Sequence, residues 1–216
     1  MNKKKKLFEL RKNYTQGGLS LHQVLPDPMA QFNLWFEQAM FAELIEPNAM
    51  TLATSNALGK VSARVVLLKE VDERGFVFYT NYNSRKSQDI EENPNAALVF
   101  LWLELERQVR IEGKLEKVPP EESDTYFKSR PRESQIAAWT SDQSKEIETR
   151  EKLFDNFSAL KEKYKESQIP RPPHWGGYVL KPSEVEFWQG RPGRLHDRIL
   201  YVRNDDNRWD RKRLAP

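Results

Sequence analysis

From Ala49 onward the apolar residues recur at every second position, and turn residues break the pattern repeatedly. Met50-Thr51-Leu52-Ala53-Thr54 leads into a turn at Asn56 to Gly59, then Val61 to Val71, a turn at Asp72 to Gly75, and Phe76 to Tyr79. A period of two places alternate side chains on opposite faces of a strand, so this stretch predicts a meander of antiparallel strands.

Helices are set around that meander. Asp27-Pro28 gives an N-cap followed by proline at the first helical position, opening an amphipathic helix through Phe32, Trp35, Phe36 and Met40 to about Leu44. A short helix from Arg85 to about Glu92 stops at Asn93-Pro94, and strands Ala96 to Leu103 and Arg107 to Val118 follow. Helical segments fill about Pro120 to Lys165, broken at Pro131. Strands return at Tyr178 to Leu180, Glu184 to Trp188, Leu195 to Val202 and Trp209 to Leu214. Short antiparallel strands with helices between them predict a mainly β fold with α (α+β), a closed or nearly closed barrel with peripheral helices. Residues 1–20 read as a mobile basic arm and 21–216 as a single domain.

Composition permits a core and removes several chemistries. Only 38% of residues are hydrophobic, but 6 Trp, 7 Tyr and 11 Phe supply large buried areas. A net charge of +3, from 35 Lys+Arg against 32 Asp+Glu, argues against a protein that coats nucleic acid. With 0 Cys there are no disulfides, thiolate nucleophiles or Cys-ligated metals. No signal-peptide core and no long apolar run is present, so the expectation is a soluble, cytoplasmic chain with no membrane partner.

Several charges stand where they are unfavourable without a ligand. In Arg194-Leu195-His196-Asp197-Arg198, strand alternation puts Arg194, His196 and Arg198 on one face, which suggests an anionic or electron-rich ligand. A solvent-facing polar strand is the plainer reading. Ser84-Arg85-Lys86 places two cations in the first turn of a helix capped by Ser84, where a bound phosphate would reverse the penalty. Arg64 and Lys69 flank an apolar strand on opposite faces, and snorkelling ends of a buried strand explain them equally well. Tyr126, Arg130 and Ser134 recur every fourth residue, but Pro131 disfavours helical geometry at Arg130, so two short segments meeting at a pocket are expected. Two separated phosphate dianions would account for these cations.

Arg64-Val-Val-Leu-Leu-Lys69, Phe78-Tyr-Thr-Asn81, Ser84-Arg-Lys86, Leu105-Glu-Arg-Gln-Val109, Ser129-Arg-Pro-Arg-Glu-Ser-Gln135, Trp175-Gly-Gly177, Glu186-Phe-Trp-Gln-Gly190, Arg194-Leu-His-Asp-Arg198 and Arg213-Leu-Ala-Pro216 occur in this order. The ordered set closely resembles the pyridoxamine 5'-phosphate oxidases. That resemblance implies a split β-barrel that binds FMN, a homodimer, and FMN sites at the subunit interface. It implies oxidation of pyridoxamine or pyridoxine 5'-phosphate to pyridoxal 5'-phosphate, with dioxygen reoxidising the flavin and hydrogen peroxide released.

By the same resemblance, Arg64, Arg85, Lys86, Gln143 and Ser144 would hold FMN, and Tyr79, Thr80, Gln108, Trp188 and Arg198 would complete its pocket. Lys69 would serve the phosphates, with Tyr126, Arg130 and Ser134 on the substrate side. Arg194 and His196 would face the substrate ring as the catalytic pair, and Arg11 and Tyr14 would belong to a segment that closes over substrate.

Three rivals remain at this point: a binding protein for B6 phosphates, a split-barrel flavin reductase acting on another substrate, and nucleic-acid binding through Lys3 to Lys6. His22 reads as exposed and His174 as structural, and no His-x-x-x-His or carboxylate cluster suggests a metal.

Overall fold

The computed structural model describes residues 14, 15 and 17–216; residues 1–13 and 16, which include the basic run and Arg11, lie outside them. Among the described residues run five α-helices and nine strands. In chain order these are α1 (Pro28–Phe41), β1 (Ala49–Ser55), β2 (Val61–Leu67), β3 (Glu70–Asp72), β4 (Gly75–Asn81), α2 (Arg85–Glu92), β5 (Asn95–Trp102) and β6 (Arg107–Lys117). They continue with α3 (Pro120–Ser129), α4 (Arg132–Thr140), α5 (Arg150–Lys163), β7 (Trp175–Gln189), β8 (Asp197–Arg203) and β9 (Trp209–Leu214). The mainly β class with added helices is as expected, and among the described residues no helix is long and apolar enough to cross a membrane.

The strands hydrogen-bond in the order β2-β1-β5-β6-β7-β4-β3, and β8 pairs both β7 and β9. The pairs β1–β2, β3–β4, β4–β7, β7–β8 and β8–β9 are antiparallel. The described residues divide into two compact units: a terminal unit of those up to Pro47 with Val99–Ile111 and Glu184–Pro216, and a central unit of Asn48–Leu98 and Glu112–Ser183.

In the terminal unit, α1 starts where Asp27 accepts from the N–H groups of Met29 and Ala30 at 3.3 and 3.2 Å. Such a cap contributes about 1 kcal/mol. The helix buries Phe32 and Trp35: Phe32 meets Phe100 at 4.9 Å between centroids, and Trp35 meets Phe187 edge-on at 5.2 Å. Truncating a buried aromatic of this kind costs about 3–5 kcal/mol. The helix ends at Phe41, short of the expected Leu44, with Glu43 at φ 53.

In the central unit, Val77, Val118 and Val179 pack together, and a second cluster joins Phe127, Ile136, Ile169 and Trp175. Two glycines of β7 let tyrosines approach its backbone closely. A Cβ on Gly176 would sit 2.2 Å from the Tyr82 hydroxyl, and one on Gly177 would sit 2.8 Å from Tyr79 Cε1.

Four expectations about elements change. The run Val61 to Val71 is two strands, because the chain exchanges partners: β2 pairs β1, while the Lys69 N–H turns to Val77 O at 2.9 Å and β3 pairs β4. The two strands expected at Tyr178 to Leu180 and Glu184 to Trp188 are one, β7. Its pairing with β4 ends at Leu180 and that with β8 begins at Glu184, so the missing N–H of Pro182 falls in the gap between partners. The helical region breaks a second time between Thr140 and Arg150, where Thr149 caps α5 by accepting from the Lys152 N–H. Finally, β8 starts at Asp197 and not at Leu195, because Pro192-Gly193-Arg194 makes a turn in which Gly193 has φ 65 and Arg194 φ 63.

Candidate active site

A cavity of about 1080 Å³ opens in the central unit. Five cationic side chains line it, Arg64, Lys69, Arg85, Lys86 and Arg130, and among the described residues that line it there is no Asp or Glu. Five like charges around one space repel each other, so the arrangement favours anionic groups inside.

Arg64 reaches the cavity from β2. Its Nη1 donates to Leu52 O at 3.2 Å and Thr54 Oγ1 at 2.8 Å, and its Nη2 donates to Ser62 Oγ at 2.7 Å. Asp89, 3.8 Å away, is a distant counter-ion that is itself engaged by Thr54. Burial and the neighbouring Arg85 pull the guanidinium below its ordinary pKa, against the pull of Asp89. Lys69 lines the same cavity although strand parity would put it opposite Arg64; it lies two residues past the end of β2 at Leu67, so the alternation no longer governs it. Nor is β2 the buried strand that snorkelling ends would need, since Val61 and Val65 are exposed.

Arg85 and Lys86 open α2, whose first turn holds no acid. Ser84 takes the N-cap position with extended backbone but makes no side-chain cap; its Oγ accepts from Lys86 Nζ at 3.1 Å instead. Lys86 also donates to Thr80 Oγ1 at 3.1 Å and Gln143 Oε1 at 2.8 Å. All three acceptors are neutral. Burial, and then the field of Arg64, push this ammonium down to about 8. An ammonium held by neutral oxygens beside the positive end of a helix is suited to a phosphate.

The opposite side of the cavity is the junction of α3 and α4. Arg130 is extended there (φ −68, ψ 149) because Pro131 follows it, as the sequence predicts, and Tyr126, Arg130 and Ser134 all line the cavity. The Arg130 guanidinium lies 4.6 Å from the Trp175 ring centroid, and its buried Nη1 has no hydrogen-bond partner. A buried unpaired donor costs about 1–3 kcal/mol, which an incoming anion would recover. Tyr79 and Tyr126 stack at 4.0 Å and Tyr79 and Trp175 at 5.5 Å, forming a flat aromatic wall. Burial pushes the Tyr79 phenol above its usual range, so it stays protonated.

The terminal unit holds a second cluster. The Arg191 N–H donates to His196 Nδ1 at 3.1 Å, which leaves the hydrogen of the neutral ring on Nε2. Trp188 lies 4.6 Å from His196, and the Tyr14 ring meets both edge-on at 5.7 and 5.5 Å. The expected cationic strand face is not formed. Arg194 lies in the turn before β8 and is exposed, while Arg198 donates twice to the buried Glu186, at 2.8 and 3.0 Å, which neutralises it.

A sequence model of the family described as "Pyridoxamine 5'-phosphate oxidase" matches residues 36–189. A protein of Gloeothece citriformis (strain PCC 7424) named pyridoxine/pyridoxamine 5'-phosphate oxidase is 58% identical over 210 residues, covering 97% of this chain and 98% of its own. The chain belongs to the pyridoxamine 5'-phosphate oxidase family.

Further likenesses agree with membership of this oxidase family. Residues 175–216 match a "Pyridoxine 5'-phosphate oxidase C-terminal dimerisation region". A Salinibacter ruber (strain DSM 13855 / M31) protein of the same name is 57% identical over 213 residues, 98% of this chain and 99% of that one. The crystal structure of PhzG from Burkholderia lata 383, in complex with tetrahydrophenazine-1-carboxylic acid, superposes with a TM-score of 0.89 at 30% identity, covering 95% of this chain and all of that one. A pyridoxamine 5'-phosphate oxidase-related, FMN binding protein from Nostoc punctiforme shares the fold, with a TM-score of 0.70 at 18% identity over 86% of this chain and 97% of that one. The split-barrel class expected from the family resemblance is borne out.

Of the residues that the oxidase-family resemblance assigns, the cavity gathers Arg64, Lys69, Tyr79, Thr80, Arg85, Lys86, Tyr126, Arg130, Ser134, Gln143 and Ser144. Gln108, Trp188, Arg194, His196 and Arg198 fall in the terminal unit with Tyr14, and Arg11 lies outside the described residues. Sequence reasoning did not single out Ser62, Asn81, Ser129, Ser141 or Trp175 as lining residues. For Trp175 a signal existed in the following Gly176-Gly177, since the missing Cβ of Gly177 makes room for Tyr79 in the aromatic wall.

Proposed function

We propose that this chain is an FMN-dependent oxidase that converts pyridoxamine 5'-phosphate and pyridoxine 5'-phosphate to pyridoxal 5'-phosphate. Dioxygen is the final acceptor; hydrogen peroxide is released, and ammonia as well from the amine. The observation that carries this reading is the cavity's composition: five cations and no lining carboxylate, arranged as two cradles.

The residues fit FMN. Arg64, Arg85, Lys86, Gln143 and Ser144 would hold it, with the cations mainly at its phosphate, and the orphaned Arg130 Nη1, with Lys69, Tyr126 and Ser134, would hold the phosphate of the substrate. When bound, FMN supplies the two-electron acceptor that no side chain provides. The protein supplies position: phosphates fixed at both cradles set the register of the two ring systems.

Arg194 would orient the substrate, and His196, with its hydrogen on Nε2, would donate a hydrogen bond to it. The match of residues 175–216 to a dimerisation region supports a homodimer, and FMN would lie at its interface. Product assay separates an oxidase from a carrier of B6 phosphates. FMN-loaded protein given pyridoxamine 5'-phosphate in air should form pyridoxal 5'-phosphate and peroxide in equal amounts. Tight binding without either product would refute the reading.

A further inference from the structure

The described residues from Tyr14 to Ser20 form no helix or strand, so the segment's place in the terminal unit depends on what grips its backbone. Leu19 is gripped at both of its backbone groups. Its N–H donates to Asp197 Oδ2 at 3.0 Å, and its carbonyl accepts from Arg213 Nη2 at 2.8 Å. Arg213 Nη1 donates to the other carboxylate oxygen, Oδ1, at 2.5 Å, which closes a ring of three residues.

The clip is built to stay charged. Burial works to raise the Asp197 carboxyl, but the Leu19 N–H, Arg213 and Arg191 outweigh it and hold it below the usual carboxylate range. Space around it is tight as well: a Cβ on Gly18 would sit 3.3 Å from Asp197 Oδ2.

Five residues upstream the chain delivers the Tyr14 ring onto Gly190, where an added Cβ would come within 2.8 Å of it. There the ring meets His196 and Trp188 edge-on. Thr15 provides one further hold, its N–H donating to Glu106 Oε2 at 2.8 Å. Five residues of extended chain can span about 17 Å, so among the described residues the hold at Thr15 leaves much of the segment's path open once Leu19 is released.

We infer that Asp197 and Arg213 are positioning residues for the reaction: by clipping Leu19 they seat the Tyr14 ring against His196 and Trp188. The inference rests on the reading of His196 as a residue that faces substrate. Neither Asp197 nor Arg213 needs to touch substrate for this role, and Arg191 ties the same carboxylate to the site, with its Nε 3.5 Å from Asp197 and its N–H on His196.

The test compares FMN-loaded wild type, Arg213→Gln, Tyr14→Ala and the double variant. Hydrogen exchange of the peptide containing Leu19 should speed up in Arg213→Gln while FMN retention stays as in wild type. Each single variant should lose about tenfold in kcat/KM for pyridoxamine 5'-phosphate, and the double variant should be no worse than Tyr14→Ala. Unchanged exchange at Leu19, or losses that multiply in the double variant, would overturn the inference. If Arg213→Gln does not fold, Asp197→Asn serves the same comparison, because it keeps an acceptor for Leu19 but removes the charge that holds Arg213. A wild type that forms no product defeats the functional reading alone; the exchange arm still decides whether the clip exists.

Discussion

Lys86 Nζ donates to Gln143 Oε1 at 2.8 Å, joining the first turn of α2 to the loop between α4 and α5. With Thr80 and Ser84 as its other acceptors, this buried ammonium makes three hydrogen bonds to neutral oxygens. Lys86→Ala should therefore weaken FMN retention by about tenfold to a hundredfold, the value of one charge-assisted hydrogen bond. A flavin fluorescence titration at neutral pH checks it.

The same group sets a pH dependence. In the free protein burial and Arg64 push Lys86 down to about 8, and a bound phosphate dianion raises that value. Between the second pKa of the phosphate, about 6, and about pH 8 the ammonium is charged in both states and FMN affinity is at its full level. As pH rises through that value, binding must take up a proton, so affinity falls, approaching tenfold per pH unit. Titrations repeated at stepped pH should show this slope in wild type and lose it in Lys86→Gln.

Arg130 carries the second cradle. Arg130→Met should raise KM for pyridoxamine 5'-phosphate by about tenfold to a hundredfold and leave FMN affinity unchanged. Arg130→Lys should recover little, since a point charge cannot replace the planar fork that stacks at 4.6 Å on Trp175. Steady-state kinetics with unphosphorylated pyridoxamine, which has nothing to offer this residue, should show no loss in either variant.

At Arg194 folding and chemistry pull in opposite directions. Its φ of 63 is costly for any residue with a side chain, so Arg194→Gly should be as stable as wild type or more stable by about 1 kcal/mol. Turnover should nonetheless fall by about a hundredfold. Thermal melts and turnover measured on the same preparation separate the two effects.

The aromatic wall needs Gly177. A Cβ there would sit 2.7 Å from Val118 Cγ2 and 2.8 Å from Tyr79 Cε1. Gly177→Ala should cost about 1–3 kcal/mol in stability by crowding that wall. Chemical denaturation with and without FMN measures the loss.

Sequence legibility followed how local the determining physics is. The cap at Asp27, the bounds of α2 and the break at Pro131 depend on neighbouring residues, and all three were readable. Partner exchange at Lys69 and at Pro182 depends on strands far away in sequence, so alternation alone merges β2 with β3 and divides β7. The same limit applied to charge. Arg130 can be placed at a pocket because its proline neighbour fixes its backbone, whereas alternation groups Arg198 with Arg194 and His196 because its partner Glu186 lies across a strand pair. The turn at Gly193-Arg194 removed the alternation on which that grouping relied.

The most direct measurement is an absorbance spectrum of the purified, FMN-loaded protein during anaerobic addition of pyridoxamine 5'-phosphate. The flavin band should bleach on addition and return on admitting air, with pyridoxal 5'-phosphate left in solution. A protein that retains no FMN, or retains it and stays unbleached with saturating substrate, would contradict the assignment.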